Sequence, residues 1–443
     1  MTTATAPAYD PHGYVFISYR QGGEGDRIAT DLEHLLRASG IPVWRDKTDL
    51  GPGLLPDECK KSASHTISAG ILIVTENLKD SEIVRETELP AFLKVLASNP
   101  EFKLCIVTSL KTVDGEIAWD RVDSLTPGAE HQILPFLPER AGGKLSQFYQ
   151  HTDDEASLLD LVKRLQRTRA KNFSDSHPNS PLSINIETYG DPDSDDRTDS
   201  TLDIRTTTNS RAFPSREALI YLKKTIGTLP TALKIAPTNK VLLRGGPHNS
   251  IAFTLGTTFL ATSIASSLQV IDRRKNEWSS KFPSEANPVK LLTIQFPVPH
   301  SADRGEPDKV ADRIAIYIDM VERKKNSDKA FEQYISDNAA SILCAQALRL
   351  ESEHPTVRSQ DGGDIAIAIA DKIDEISDEY DNPRIALFLR CPFALAALIG
   401  RQMNTHRIDV YEFDKTAERP RYLPMIRVTP SNKDGVITEV LAQ

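Results

Sequence analysis

The run Tyr14-Val15-Phe16-Ile17-Ser18-Tyr19-Arg20 passes within seven residues from an apolar segment to a polar loop punctuated by Gly22, Gly23 and Gly25. Four apolar residues out of five in Tyr14–Ser18 predict a buried strand rather than one with a solvated face. Beyond the loop, Ile28, Leu32, Leu35 and Leu36 fall on one stripe of a helix over 28–39, and Gly40 supplies its stop. Outward from there, 41–44 and 69–74 read as strands, 86–96 as a helix and 103–108 as a fourth strand. The segment 132–136 is a candidate fifth strand. Leu158, Leu159, Val162 and Leu165 align on a closing helix over 155–169. Strand and helix alternate, so an α/β unit with a parallel sheet covered on both faces is expected, ending near residue 170.

With 443 residues the chain is too long for one hydrophobic core, and two to four units are expected. Its 39% apolar and 26% charged content excludes collagen, coiled coil and global disorder. A net charge of −9 argues against a polyanion binder such as a DNA-binding protein, while leaving room for a local basic pocket. Cys59, Cys105, Cys344 and Cys391 lie far apart, and neither a zinc pattern nor a disulfide framework emerges. Buried reduced thiols in a cytoplasmic protein, with no metal, are expected. No apolar stretch is long enough to span a membrane, and residues 1–13 lack the basic and apolar regions of a signal peptide.

Residues 171–181 are polar, contain Pro178 and Pro181, and read as a linker that continues to about residue 200 as the start of the next domain. Residues 183–189 and 202–208 alternate as strands do. The seven acids from Glu187 to Asp203 are expected to form a solvated tip. Over 201–443 a weak internal repeat is present. Val241-Leu242-Leu243-Arg244-Gly245-Gly246-Pro247 leads into a helix over 249–262 that carries Leu255-Gly256. Ile385-Ala386-Leu387-Phe388-Leu389-Arg390-Cys391-Pro392 leads into a helix over 393–402 that carries Ile399-Gly400. Each copy is followed by a strand, 267–271 or 407–413; strand 290–296 lies after the first and strand 364–370 before the second. Two related α/β halves are expected, about 201–300 and 352–443, separated by a helical insert over about 308–351.

Three segments of the first unit converge at the carboxyl ends of its strands, where open α/β sheets place ligands. They are Phe16–Arg20, then Val43–Gly53, then Thr75–Ser81 leading into Ile83–Leu89. These residues resemble the Toll/interleukin-1 receptor (TIR) domain over about 13–168. Phe16-Ile17-Ser18-Tyr19 matches its first box. Asp46 to Gly53, with Asp49 and Leu50, resembles its BB loop. Glu88-Leu89 resembles its helix-borne glutamate and apolar neighbour. The aromatic usual four residues before that glutamate is missing, and Glu86 stays open as the alternative to Glu88. The resemblance implies a flavodoxin-like fold and, for many microbial members, NAD+ cleavage; other members are scaffolds without activity. Loss of nicotinamide from NAD+ needs no protonation of the leaving group, so one carboxylate beside the ribose serves, without metal. Phe16, Ser18 and Tyr19 are candidates for the base and ribose, Arg20 and Arg45 for the pyrophosphate.

In each repeat half a helix N-terminus, backbone N–H groups and an Arg meet in one place, which is an anion site in physical terms. Arg244 with His248, Asn249 and Ser250 forms the first, and Arg390 with Phe393 the second. Arg273 and Arg274 follow the next strand, and Trp278, Phe393 and Tyr411 are candidate platforms for bases. Pairing of Arg244 and Arg390 with acids is the alternative. The layout, with Ile408–Phe413 and Tyr422-Leu423-Pro424, resembles the SAVED domain, two fused CARF-like Rossmann-type halves that sense cyclic oligonucleotides in bacterial anti-phage (CBASS-type) signalling. The combined resemblance implies a NAD+ glycohydrolase switched on by a cyclic oligonucleotide, with three aromatics favouring a cyclic trinucleotide. Self-association into oligomers or filaments through the BB loop is part of that expectation. A TIR scaffold without activity, docked through its SAVED half, is the rival.

Overall fold

The computed structural model describes residues 8–45, 66–125, 145–189, 200–208, 213–236, 238–263, 265–280, 289–299, 311–321, 328–351, 357–415 and 417–443. Two compact units emerge, Met1–Pro178 with Asp193–Ile204, and Asn179–Pro192 with Arg205–Gln443. No helix among the described residues is long and apolar enough to cross a membrane. Cys105, Cys344 and Cys391 are buried free thiols, and Cys59 lies outside the described residues.

The first unit is built on β1 (Tyr9–Ser18), β2 (Val43–Arg45), β3 (Ile67–Val74), β4 (Lys103–Thr108) and β5 (Tyr149–Thr152). They lie in the order β2-β1-β3-β4-β5 with every neighbour parallel, the 2-1-3-4-5 order of flavodoxin-like sheets. The direction of chain travel reverses between β1 and β3, so the crevice at their carboxyl ends is the switch point. The helices Glu24–Ala38, Leu89–Ser98 and Glu155–Ser176 flank the sheet's strands in sequence as expected. Three boundaries differ by five residues or more, the first being β1, which begins at Tyr9 rather than Tyr14. The fifth strand is Tyr149–Thr152, whose sequence YQHT has no apolar alternation to betray it; 132–136 lies outside the described residues. The closing helix runs on to Ser176, where Phe173 stacks on His177 at 4.6 Å, so the expected linker shrinks to a few residues before the next strand.

The second unit holds two sheets. After β6 (Leu182–Glu187) the chain runs through β7 (Leu202–Arg205), which up to Ile204 is counted with the first unit, to β8 (Lys240–Gly246), β9 (Ser267–Ile271) and β10 (Glu277–Ser279). Of these, β6, β8 and β9 are parallel neighbours, and β10 is antiparallel to β9. The second sheet has β11 (Leu291–Phe296), β12 (Arg313–Asp319), β13 (Ile342–Leu350), β14 (Arg384–Arg390), β15 (Ile408–Asp414), β16 (Arg421–Val428) and β17 (Ile437–Val440). Its order is β11-β13-β12-β14-β15-β16-β17, with the four central strands parallel.

The expected helical insert over 308–351 is therefore wrong. It supplies two central strands and the short helix Lys329–Asn338, and the second half begins at β11 rather than near 352. A buried parallel strand is a short apolar run, and periodicity alone does not separate it from a buried helix. The converse error is at 364–370, expected as a strand and found inside the helix Gly362–Asp378. Its Ile-Ala alternation mimics a strand. The buried set Ile365, Ala366, Ile369, Ala370, Ile373 and Ile376 follows the helical spacing instead.

The repeat itself is real in space. The helices Asn249–Thr258 and Phe393–Gln402 pack on one another, and the matched glycines are their points of closest approach. A Cβ on Gly256 would lie 2.0 Å from the Ala397 carbonyl oxygen, and one on Gly400 would lie 2.1 Å from that of Phe253. Each backbone thus fills the space where the other's side chain would be. An ordinary helical Gly→Ala change gains roughly 0.5–1 kcal/mol from propensity. Gly400→Ala should reverse that sign and cost about 1–3 kcal/mol by overpacking, read as a lower urea midpoint at unchanged slope. A stabilised variant would show that the helices have room to separate.

Candidate functional sites at the carboxyl ends of the strands

In the first unit a cleft of about 260 Å³ opens at the switch point, lined by Tyr19, Arg20, Asp80, Ser81 and Glu88 among others. Ser18 ends β1 with its side chain on the same face as Phe16, and its Oγ donates to Glu88 Oε2 at 2.6 Å. Glu88 closes a π-helical turn, Val84–Glu88, that feeds the helix Leu89–Ser98. Such wide turns recur where a helix must re-aim one side chain. Glu86 lies in the same turn but is exposed and does not line the cleft. Of the two glutamates left open by the sequence, Glu88 is the one that faces it.

The other expected residues divide. Tyr19 and Arg20 line the cleft. Phe16 does not, because it is core, with its ring 4.1 Å from Trp44 and 5.2 Å from Phe92. Arg45 is also unavailable for a pyrophosphate. It is 3% exposed and donates to Glu33 at 2.8 Å, Thr30 at 2.8 Å and the Tyr19 hydroxyl at 3.0 Å. Burial pushes the Tyr19 phenol up, with the Arg45 hydrogen bond pulling it back, so it is held neutral at the cleft wall. The strand-end arginine was legible in sequence; its acid, twelve residues earlier on a helix, was not. Asp46, Asp49, Leu50 and Gly53 lie outside the described residues.

In the second unit the two junctions expected to be separate anion sites meet through hydrogen bonds. Asn249 Nδ2 donates to the Leu389 and Cys391 carbonyls at 3.2 and 3.0 Å, and the Ser250 N–H donates to Glu412 Oε1 at 2.6 Å. Arg244 sits opposite Asn185 on β6, its buried Nε without a hydrogen-bond partner. Arg273 Nη2 donates to the Gly246 carbonyl at 3.1 Å, and its guanidinium lies 5.2 Å over the Tyr189 ring. A side chain at Gly246 would displace it, since a Cβ there would fall 2.0 Å from the guanidinium. Tyr189 stacks on His248 at 3.8 Å, and His248 Nδ1 is 2.7 Å from Thr188 Oγ1. Tyr189 is 46% exposed, an aromatic surface at the site that the sequence reading passed over as a strand end. Glu412 was passed over likewise, inside the closing strand motif.

Three expected contacts, at Arg390, Trp278 and Tyr411, are corrected. Arg390 donates to Asp319 Oδ1 at 2.9 Å, and Arg349 donates to Asp319 Oδ2 at 3.1 Å, so the acid pairing weighed as the alternative is what Arg390 has. Trp278 is 3% exposed, its Nε1 donates to Asp272 at 3.0 Å, and it packs beside Gly362. Tyr411 is stacked in the core on Phe388 at 4.6 Å, with its hydroxyl 3.2 Å from that of Tyr334. Arg274 is exposed in the Asp272 turn, its backbone N–H bonded to the Asp272 carboxylate. Phe393 is half-buried and opens its helix as expected.

Residues 193–428, more than half of the chain, match the family model of the SMODS-associated and fused to various effectors sensor domain. The chain belongs to the SAVED family. Among solved structures, the Acinetobacter baumannii Cap4 SAVED/CARF-domain containing receptor with the cyclic trinucleotide 2′3′3′-cAAA is 14% identical. That match covers 78% of this chain and 85% of the other, with a TM-score of 0.43. The Moraxella osloensis Cap4 receptor is 13% identical over 80% and 86% of the two chains, with a TM-score of 0.37. A search among curated proteins finds no match.

The Arg45 network yields a test that separates structure from substrate contact. Arg45→Ala takes one of two guanidiniums from the buried Glu33, which keeps Arg37 at 3.0 Å, and should cost about 1.5–3 kcal/mol of first-unit stability, read by chemical denaturation. Unchanged stability would return Arg45 to the list of ligand-binding residues.

Proposed function

We propose that the chain is a cyclic-oligonucleotide sensor of anti-phage defence whose first unit is a TIR domain that cleaves NAD+. The observation that carries the catalytic half is Glu88, aimed into the switch-point cleft and held by Ser18. In this reading the nicotinamide ribose enters the cleft and the C–N bond to nicotinamide lengthens. Nicotinamide leaves neutral, and the Glu88 carboxylate faces the positive charge growing on the sugar. Water then adds to the anomeric carbon and releases a proton, giving ADP-ribose. Tyr19 and Arg20 line the entrance and are assigned to the substrate's polar groups; Phe16 and Arg45 support the cleft from behind.

The sensing half rests on membership of the SAVED family and on the joined junction site, where Ser250, Arg244, Arg273 and the Tyr189–His248 stack gather N–H groups, cations and an aromatic face. That combination suits a phosphate ring carrying bases, and the receptor from A. baumannii is described with such a cyclic trinucleotide. Self-association of the chain on messenger binding, through the BB-loop segment 46–53, completes the proposal and keeps NAD+ cleavage silent without messenger.

Glu88→Gln should abolish NAD+ cleavage with messenger affinity unchanged, while Glu86→Gln keeps it; the assay is a fluorescent NAD+ analogue with saturating cyclic trinucleotide. No cleavage by the wild type under any ring would favour a scaffold. Arg244→Ala should weaken messenger binding by about 1.5–3 kcal/mol, the scale of a charge-assisted hydrogen bond, measured by direct titration. Unchanged affinity would place the ring elsewhere.

A further inference from the structure

Glu412 sits near the carboxyl end of β15, 7% exposed, with Oε1 2.6 Å from the Ser250 N–H. Ser250 lies in the first turn of the helix Asn249–Thr258, so the carboxylate occupies a donor that a bound phosphate would use. Among the described residues no cation is paired with it. The groups that face it are Ser250 from the helix, Tyr189 from beyond β6 and Cys391 from the β14 junction. Burial pushes the Tyr189 phenol to about 12 and the Cys391 thiol up, so both are neutral. Of the cations of this cluster, Arg273 is engaged with the Gly246 carbonyl, the Tyr189 face and Glu187 at 3.7 Å, and Arg244 stands on β8 opposite Asn185. A carboxylate sealed from water and held by Ser250, with no cation paired to it among the described residues, is an expensive arrangement in the middle of the site.

Resting on the reading of this site as the messenger site, we infer that Glu412 is an internal anion which the messenger's phosphate displaces from the Ser250 N–H, taking up a proton as it yields. Burial, opposed by the Ser250 hydrogen bonds, holds this carboxyl at about 7. A phosphate placed beside it raises it further, since like charges disfavour each other's ionised forms. Binding is then strongest below neutrality and weakens as the pH rises through that value.

The experiment titrates the full chain with fluorescently labelled cyclic di-, tri- and tetranucleotides, cyclic tri-adenylate first, from pH 6.5 to 8.5. For any ring that binds, wild-type affinity should fall more than about tenfold across that range. Glu412→Gln, nearly isosteric, should bind with little pH dependence and more tightly than wild type at pH 8.5. A variant that keeps the wild-type slope overturns the inference, and so does a folded variant that loses binding at every pH. If no ring binds, the sensor reading falls instead, and a ligand-free arm still decides the state of Glu412. Its folded value lies above the unfolded one, so its contribution is full at acid pH and lost as pH rises through about 7. The wild-type melting temperature should therefore drop below that of Glu412→Gln between pH 5.5 and 8. Parallel melting curves would show that Glu412 has a counter-charge after all.

Discussion

Backbone contact between two helices at Gly256 and Gly400 is the constraint on which the sensor depends. Each helix starts where a central strand of its own sheet ends, so the crossing distance fixes how far apart the two N-termini lie. At glycine distance, Asn249 of one half reaches the Leu389 and Cys391 carbonyls of the other, and Glu412 reaches Ser250. Side chains at the crossing would push the helices apart by more than a hydrogen bond tolerates. Two half-sites would then replace one site. The same glycines that make the repeat visible in sequence make the site single in space.

What the sequence disclosed follows from that logic of local signals. Strand 103–108, helix 393–402 and the paired Gly positions were legible because apolar spacing and a terminating residue specify them without reference to the rest of the chain. Arg45, Arg390, Trp278 and Tyr411 were misjudged for the opposite reason. Each is a polar or aromatic group whose partner lies outside its own strand: Glu33, Asp319, Asp272 and Tyr334. A charge near a strand end advertises a site and an internal ion pair equally, and only the fold decides. Ser18 and Glu88, seventy residues apart, show the favourable case, since two short motifs pointed to the same crevice.

Arg390 and Arg244 occupy matching places in the repeat, yet their environments differ. Asp319, buried between Arg390 and Arg349, spends its charge on both guanidiniums, which locks the end of β12 to β13 and β14. Among the described residues no acid is paired with Arg244, whose Nε is buried without a hydrogen-bond partner. A buried guanidinium donor that makes no bond carries a desolvation cost that only an incoming acceptor removes. The pseudo-symmetric site is thus asymmetric in readiness: one half is rigid scaffold, and the other is where an anion gains most.

The two glutamates of the sites illustrate how placement sets the use of one functional group. Glu88 is half-buried, lies in an open cleft and accepts a hydroxyl hydrogen bond, so it remains near solvent. A carboxylate in that setting is available to a cation that develops in front of it, and the surrounding wall strengthens the attraction as water is excluded. Glu412 is closed in, and burial pushes it up to about 7. There the charged form is costly, and any change that supplies a proton or takes over the Ser250 N–H relieves that cost. A carboxylate meant to meet a positive charge keeps its ionised form ready. One meant to be replaced by another anion is better held where leaving is downhill. The first arrangement suits chemistry and the second suits a switch, which is the division of labour that the proposed function asks of the two units.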